Sequence, residues 1–128
     1  MKTKMLLPLF LLMMMGTIAN AQQVKQITST EASKMIKADP KLVVLDVRTA
    51  EEFSAGHIKG AINIDIKQAD ALARIDKLDH KAKYIVHCRT HHRSQAAVDH
   101  MAQSGFKNVF QMSDGFSGWS QNGLPQVK

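Results

Sequence analysis

The residue types able to do chemistry concentrate in one stretch, Tyr84-Ile-Val-His-Cys-Arg-Thr-His-His-Arg-Ser-Gln-Ala-Ala97, which holds the only cysteine of the chain. Cys88 is followed by Arg89, Thr90, His91, His92, Arg93 and Ser94, so a thiol stands among guanidinium, imidazole and hydroxyl groups. A free cysteine has a pKa of about 8.5 and needs positive potential to be a thiolate at neutral pH. Arg89 and Arg93 offer fixed charge, and a helix opening near Ser94 adds the positive end of its dipole. The same groups would hold an incoming oxyanion. That combination suits a nucleophile that takes a group from an anionic donor as a covalent intermediate on sulfur. A phosphoryl group and a sulfane sulfur both qualify. Spacing separates them: cysteine-loop phosphatases put five residues between Cys and Arg, whereas four lie between Cys88 and Arg93. The smaller ring disfavours phosphate.

The flanking pattern positions this stretch. Lys83 to His87 is expected to be a strand, and Ala97, Val98, Met101 and Ala102 recur at the spacing of one helix face, giving a helix from Ser94 to Ser104 with Gly105 as its stop. Cys88 to Arg93 then form a loop from strand end to helix start, a place where backbone N–H groups can bind an anion. Upstream, a strand over Gln22 to Ile27 precedes a helix opened by the capping-box pair Thr28 and Glu31 and ended by Asp39-Pro40. Leu42 to Leu45 reads as a buried strand ending in Asp46-Val-Arg48. Thr49 and Glu52 open a short helix that closes at Ala55-Gly56. Ile62 and Ile64 alternate as a short strand, and Leu72, Ile75 and Leu78 predict a helix between Lys67 and Asp79. After Val109 to Met112, a last strand, Asp114-Gly115 reads as a turn, with Phe116, Trp119 and Leu124 packing back through a glycine-broken tail. Strands alternate with helices across connections too long for hairpins, so the expected class is α/β, a mostly parallel five-stranded sheet with helices on both faces. Ligands of such sheets sit beyond the carboxyl ends of the strands, where the cysteine loop lies.

The first 21 residues stand apart. Met1-Lys-Thr-Lys4 is basic, Met5 to Met15 is apolar except for Pro8, and Ala19-Asn-Ala21 supplies the small residues an export peptidase reads, so residues 1–21 are expected to be a signal peptide cut after Ala21. The domain is then 22–128, periplasmic or secreted. The apolar run is shorter than the roughly 20 residues of a membrane span, so no stable membrane anchor is expected. Loss of Lys2 and Lys4 takes the 17 basic residues to 15 against 11 acidic ones. These charges are scattered, without a basic stripe interleaved with aromatics, which argues against nucleic acid and for a small anionic partner. Oligomeric state has no signal in the sequence. Exported domains normally pair their cysteines, so a lone one is a packing residue or a reactive thiol; the basic neighbours favour the latter.

Three stretches resemble single-domain rhodaneses, the thiosulfate sulfurtransferases, and among them the exported phage-shock type. They are Leu45-Asp-Val-Arg-Thr-Ala-Glu-Glu-Phe-Ser-Ala-Gly-His-Ile-Lys-Gly-Ala-Ile-Asn63, the loop Cys88-Arg-Thr-His-His-Arg-Ser94, and Gly115-Phe-Ser-Gly-Trp-Ser-Gln-Asn-Gly-Leu-Pro125. The resemblance implies a rhodanese-like fold and a persulfide mechanism without a cofactor. Cys88 would take the outer sulfur of a thiosulfate-like donor and give it to cyanide or a thiol. The amides of Arg89, Thr90, His91, His92, Arg93 and Ser94 would cradle the persulfide, and Arg89 and Arg93 would steer the anions. The sequence departs from the family where His91 replaces a common loop glycine and where Asp114 replaces a frequent second glycine, here read as a turn variation.

Asp46 and Arg48 read as a structural pair at the strand end, and His57 as a packing residue with one hydrogen bond. Phe116 and Trp119 are expected in the core. His87, Cys88, His91 and His92 are also good ligand types for zinc or copper. Against a metal, His87 lies on the strand and adjacent loop residues seldom all point inward, so no metal is assigned. The readings alternative to sulfur transfer are a non-catalytic binding module and a thiol redox protein that forms mixed disulfides.

Overall fold

The computed structural model describes residues 2–4 and 23–128; the apolar run and cleavage point of the expected leader, and Gln22, lie outside them. Among the described residues five strands and five helices alternate. They are β1 (Lys25–Ile27), α1 (Ser29–Ala38), β2 (Val43–Asp46), α2 (Ala50–Ala55), β3 (Ile62–Asn63), α3 (Ala71–Asp76), β4 (Lys83–His87), α4 (His92–Gln103), β5 (Asn108–Met112) and α5 (Gly115–Gln121). The strands form one sheet in the order β1-β5-β4-β2-β3, and every pair in it is parallel. All carboxyl ends therefore lie along one edge, and β4, which delivers Cys88, is the middle strand.

Side chains of a strand alternate between faces, and the core divides accordingly. Val43, Leu45, Tyr84, Val86 and Val109 pack with Ala71, Ile75, Ala97, Val98 and Met101 of α3 and α4. Val44, Ile85 and Met112 pack with Ala32 of α1 and Trp119 of α5. Both predicted capping boxes form. Thr28 Oγ1 accepts from Glu31 N at 3.2 Å while Glu31 Oε2 accepts from Thr28 N at 3.0 Å, and Thr49 with Glu52 repeats the pattern.

Four sequence expectations change. The first strand is shorter than Gln22 to Ile27. The third helix covers only Ala71–Asp76, because Asp65 Oδ1 accepts from Lys67 N at 2.9 Å and turns the chain before the helix can start. Helix α4 begins at His92, two residues early, from His91 without a side-chain cap. The expected tail after Gly115 is the helix α5. Asp114 is more than a turn residue: its carboxylate accepts from Ser29 N at 2.8 Å and Ser29 Oγ at 2.6 Å, 85 residues away in sequence. It thus fixes the start of α5 to the start of α1. Asn122, at the end of α5, donates to the same Ser29 hydroxyl at 2.9 Å.

A second long-range tie joins α2 to α4. Arg93 Nη1 and Nη2 donate to Glu52 Oε1 and Oε2 at 2.7 and 2.9 Å, a bidentate pair. The hydrogen bonds from Arg93, the largest influence, hold the Glu52 carboxyl down at about 2; partial burial opposes them and bonds from Thr49 add to them.

Each tie gives an expected outcome. Asp114→Ala leaves the buried Ser29 amide without its acceptor and should cost about 1–3 kcal/mol, read as a lower urea midpoint with an unchanged slope. The Glu52 value lies below that of the unfolded chain, so its contribution is complete above the ordinary carboxylate range and fades as pH falls through that range toward about 2. Glu52→Gln should therefore be less stable than the native chain near neutral pH, and the two midpoints should converge on acidification. Midpoints that stay equally separated across the acid range would show that the pair is not the source.

Candidate functional site

Cys88 emerges from the carboxyl end of β4 directly after His87, and the chain returns at the first turn of α4. Sequence expectation placed the thiol in a basic loop, as a reactive group rather than a packing residue. The structure instead buries it, with 1% of the residue exposed, and packs its apolar side among Leu45, Val86, Ala97 and Val98. Among the described residues one polar partner reaches it: the Cys88 Sγ–H donates to Ser94 Oγ at 3.6 Å. Arg89, Thr90, His91 and His92 are exposed around it.

The loop is held by its carbonyls. Cys88 O accepts from Phe116 N at 2.9 Å and from His87 Nδ1 at 3.0 Å, which fills both of its lone pairs. Arg89 O accepts from Ser117 N at 2.9 Å. His91 O accepts from Ser94 Oγ at 3.0 Å and from Gln95 N at 3.3 Å. In a planar trans peptide the N–H points opposite to the C=O, so fixing these carbonyls aims the N–H groups of Arg89, Thr90 and His92 the other way. Among the described residues, no backbone N–H from Arg89 to Ser94 has a protein acceptor. The last three belong to the first turn of α4, where the helix supplies none.

Close approach of α5 is what makes these bonds possible. Gly115 has φ +60°, and a Cβ there would collide with the carbonyl oxygens of Thr90 and Arg89. Its lack of a side chain thus serves both the left-handed backbone and the contact with the loop.

Asp46, Arg48 and His87 form a buried polar layer beneath. Arg48 Nε and Nη2 reach Asp46 Oδ2 at 3.1 and 2.7 Å, and Nη2 also donates to Gly56 O at 2.8 Å. The guanidinium lies 4.0 Å over the Phe116 ring. Asn63 Nδ2 donates to Asp46 O and Arg48 O at 3.0 and 2.9 Å, so the edge strand pins the segment that follows β2. Burial, the largest influence, pushes the His87 imidazole below its ordinary value, against the pull of Asp46. Its Nε2 stands 3.7 Å from Asp46 Oδ2, too far for a hydrogen bond, and is without a partner among the described residues. His57 lies outside this layer: its Nδ1 meets Phe53 O at 2.8 Å and its ring stacks on Phe53 at 3.7 Å.

The structure therefore brings together Cys88, Ser94 and the loop amides, and separates the charged groups. Arg93 is held in its pair with Glu52, while Arg89 faces an open cleft of about 410 Å³ that Glu52, Gly56, Phe116 and Ser117 also line. The imidazoles do not converge either. His87 is buried and His91 and His92 are exposed, and among the described residues no three His, Cys, Asp or Glu side chains are placed to hold a metal ion. No helix among the described residues is long and apolar enough to cross a membrane.

Sequence reasoning gave Glu52 only a capping role, assigned no role to Gln111, which lies under the loop, and expected Phe116 in the core, against which it does pack while also lining the cleft. Glu52 carried a signal in its charge opposite Arg93, but the partnership spans 41 residues. Gln111 carried a weaker one, as a polar residue at a strand position expected to be apolar.

The rhodanese-like domain family matches the chain over residues 28–122. The chain is 37% identical over 91 residues to thiosulfate sulfurtransferase 16, chloroplastic, of Arabidopsis thaliana, covering 63% of this chain and 76% of that protein. It is 34% identical over 110 residues to the uncharacterized protein YibN of Escherichia coli K12, with coverage of 83% and 74%. With thiosulfate sulfurtransferase GlpE of Actinobacillus succinogenes it shares 33% over 100 residues, covering 78% and 87%. Among solved structures, the rhodanese-related protein of Thermoplasma volcanium matches with a TM-score of 0.69 at 33% identity, covering 80% of this chain and 97% of that one. The parallel sheet, the loop leaving its middle strand and these likenesses agree, and the chain belongs to the rhodanese-like family.

Proposed function

We propose that this protein is a sulfurtransferase that carries a sulfane sulfur as a persulfide on Cys88, taking it from thiosulfate or a similar anionic donor and giving it to cyanide or a thiol. The observation that carries the reading is the run of N–H groups from Arg89 to Ser94, free of protein acceptors among the described residues, beside the sole thiol of the chain. Such amides stabilise negative charge without reorganising. In the first step the Cys88 thiolate attacks the outer sulfur of thiosulfate. A new S–S bond forms, the bond to the sulfonate sulfur breaks, and its electron pair leaves with sulfite. In the second step cyanide attacks the terminal sulfur, thiocyanate departs, and the electron pair of the cleaved bond returns to Cys88 as thiolate. The amides of Arg89, Thr90, His91, His92, Arg93 and Ser94 hold the persulfide charge, and Arg89 at the cleft draws in donor and acceptor.

Burial supports sulfur transfer over mixed-disulfide exchange. A thiol with 1% exposure admits a terminal sulfur or cyanide more readily than a protein disulfide, which must bring both of its sulfurs into line. Arg93, fixed on Glu52, acts in this reading through the loop's shape rather than by touching the donor. Asp46, Arg48 and His57 support the framework. The basic start, apolar run and Ala19-Asn-Ala21 support export of a domain over residues 22–128 to the periplasm or beyond.

Two measurements test these readings. Incubation with thiosulfate should raise the protein mass by one sulfur atom, removable by cyanide and absent in Cys88→Ala; a native chain that gains nothing overturns the mechanism. Expression of the whole chain in a Gram-negative host should give a periplasmic form whose first residue is Gln22, and a cytoplasmic product that retains Met1 or Lys2 overturns export.

A further inference from the structure

Gln111 sits on β5 with no exposed surface. Its amide makes three polar contacts, all beneath the cysteine loop. Nε2 donates to Ser94 Oγ at 2.8 Å and reaches His91 O at 3.4 Å, while Oε1 accepts from Gln26 Nε2 at 2.8 Å, across the parallel pair of β5 with β1. The orientation of the amide is fixed by these neighbours, since an oxygen in place of Nε2 would face the lone pairs of the His91 carbonyl.

Ser94 Oγ has one hydrogen and two lone pairs. The hydrogen goes to His91 O, and the lone pairs take Gln111 Nε2 and the Cys88 Sγ–H. His91 O, however, has three donors directed at its two lone pairs: Ser94 Oγ, Gln95 N and Gln111 Nε2. The Ser94 hydroxyl can therefore leave His91 O without stranding it. Once the sulfur loses its proton it offers lone pairs in place of a donor, and a hydroxyl that rotates about its own C–O bond can donate to it. Gln111 holds the oxygen in place throughout that rotation and keeps a second N–H for the carbonyl the hydroxyl vacates.

We propose that Gln111 is a positioning residue that anchors the Ser94 hydroxyl and lets its hydrogen turn to the Cys88 sulfur whenever that sulfur is an anion. The inference rests on the reading of Cys88 as the sulfur-carrying nucleophile, but its test needs no sulfur donor. Failure of one is therefore distinguishable from failure of the other.

Cys88 is the only cysteine, so the rate of alkylation by iodoacetamide as a function of pH reports its ionisation alone. Gln111→Met matches the length and removes both donors. The midpoint of the profile should rise by about one pH unit, a roughly tenfold smaller thiolate fraction at neutral pH. The other charged or titratable groups around the site, namely Asp46, Glu52, His87, Arg48, Arg89, His91, His92 and Arg93, are unchanged in every variant. In a Ser94→Ala background, Gln111→Met should produce no further shift, because the group it acts through is gone. Gln26→Met removes the anchor of the amide oxygen but leaves both Gln111 donors; it should lower the melting temperature and leave the midpoint nearly in place. If Gln111→Met does not fold, Gln26→Met/Gln111→Met, which removes both polar partners together, takes its place with the same expected shift. Equal shifts with and without Ser94, no shift with Ser94 present, or a midpoint that follows melting temperature across the variants would each overturn the proposal.

Discussion

The cysteine loop depends on two backbone hydrogen bonds that it receives from α5, Phe116 N to Cys88 O and Ser117 N to Arg89 O, both 2.9 Å. Their importance comes from the rigidity of the peptide plane. A carbonyl that is held outward obliges the next N–H to face the opposite way, so the first amides of the cysteine loop are aimed by a helix that lies outside the loop. Much of the remaining structure serves that helix. Gly115 lets it approach, Asp114 ties its start to Ser29 at the head of α1, and Trp119 buries its outer turn while Trp119 Nε1 donates to Pro125 O at 2.8 Å.

The buried charges fit the same scheme. Asp46 and Arg48 are 0% and 3% exposed, and an ion pair at that depth gains little net stability after desolvation. What it supplies is geometry. Arg48 joins the end of β2 to Gly56 after α2 and forms a flat lid over Phe116, the residue whose amide holds Cys88 O. His87 bonds that same carbonyl from the other side. One oxygen atom thus links β4 to α5.

The alternation of strands and helices, both capping boxes and the position of the cysteine loop were legible because each is a local pattern: an apolar period, a threonine three residues before a glutamate, a polar run after a strand. The elements that escaped are those whose cause is distant. Helix α5 reads Gly-Phe-Ser-Gly-Trp-Ser-Gln, with two glycines and little intrinsic preference for helix, and it forms because its amides and aromatic side chains have partners elsewhere. Helix α4 starts at an uncapped histidine for a similar reason: Ser94, the better capping type two residues on, has its hydroxyl engaged with Cys88, His91 and Gln111. The burial of Cys88 was also hidden, since its charged neighbours in sequence are turned outward.

Arg93 shows what this means for the electrostatics of the site. From sequence alone it is the obvious cation for an anionic donor, but its planar guanidinium is matched to the Glu52 carboxylate in a bidentate pair. That pair is nearly neutral from a distance. An incoming anion would have to displace a carboxylate already held in good geometry, so in the proposed reading direct contact with the donor falls to the amides, the dipole of α4 and the exposed Arg89. These sources differ in range. The amides and the dipole act within a turn of the helix, whereas an exposed guanidinium attracts from farther out and is screened by salt. In the proposed reading a site so built separates the two tasks, with capture by the exposed Arg89 at the cleft and stabilisation of the sulfur anion by fixed, uncharged amides of the loop.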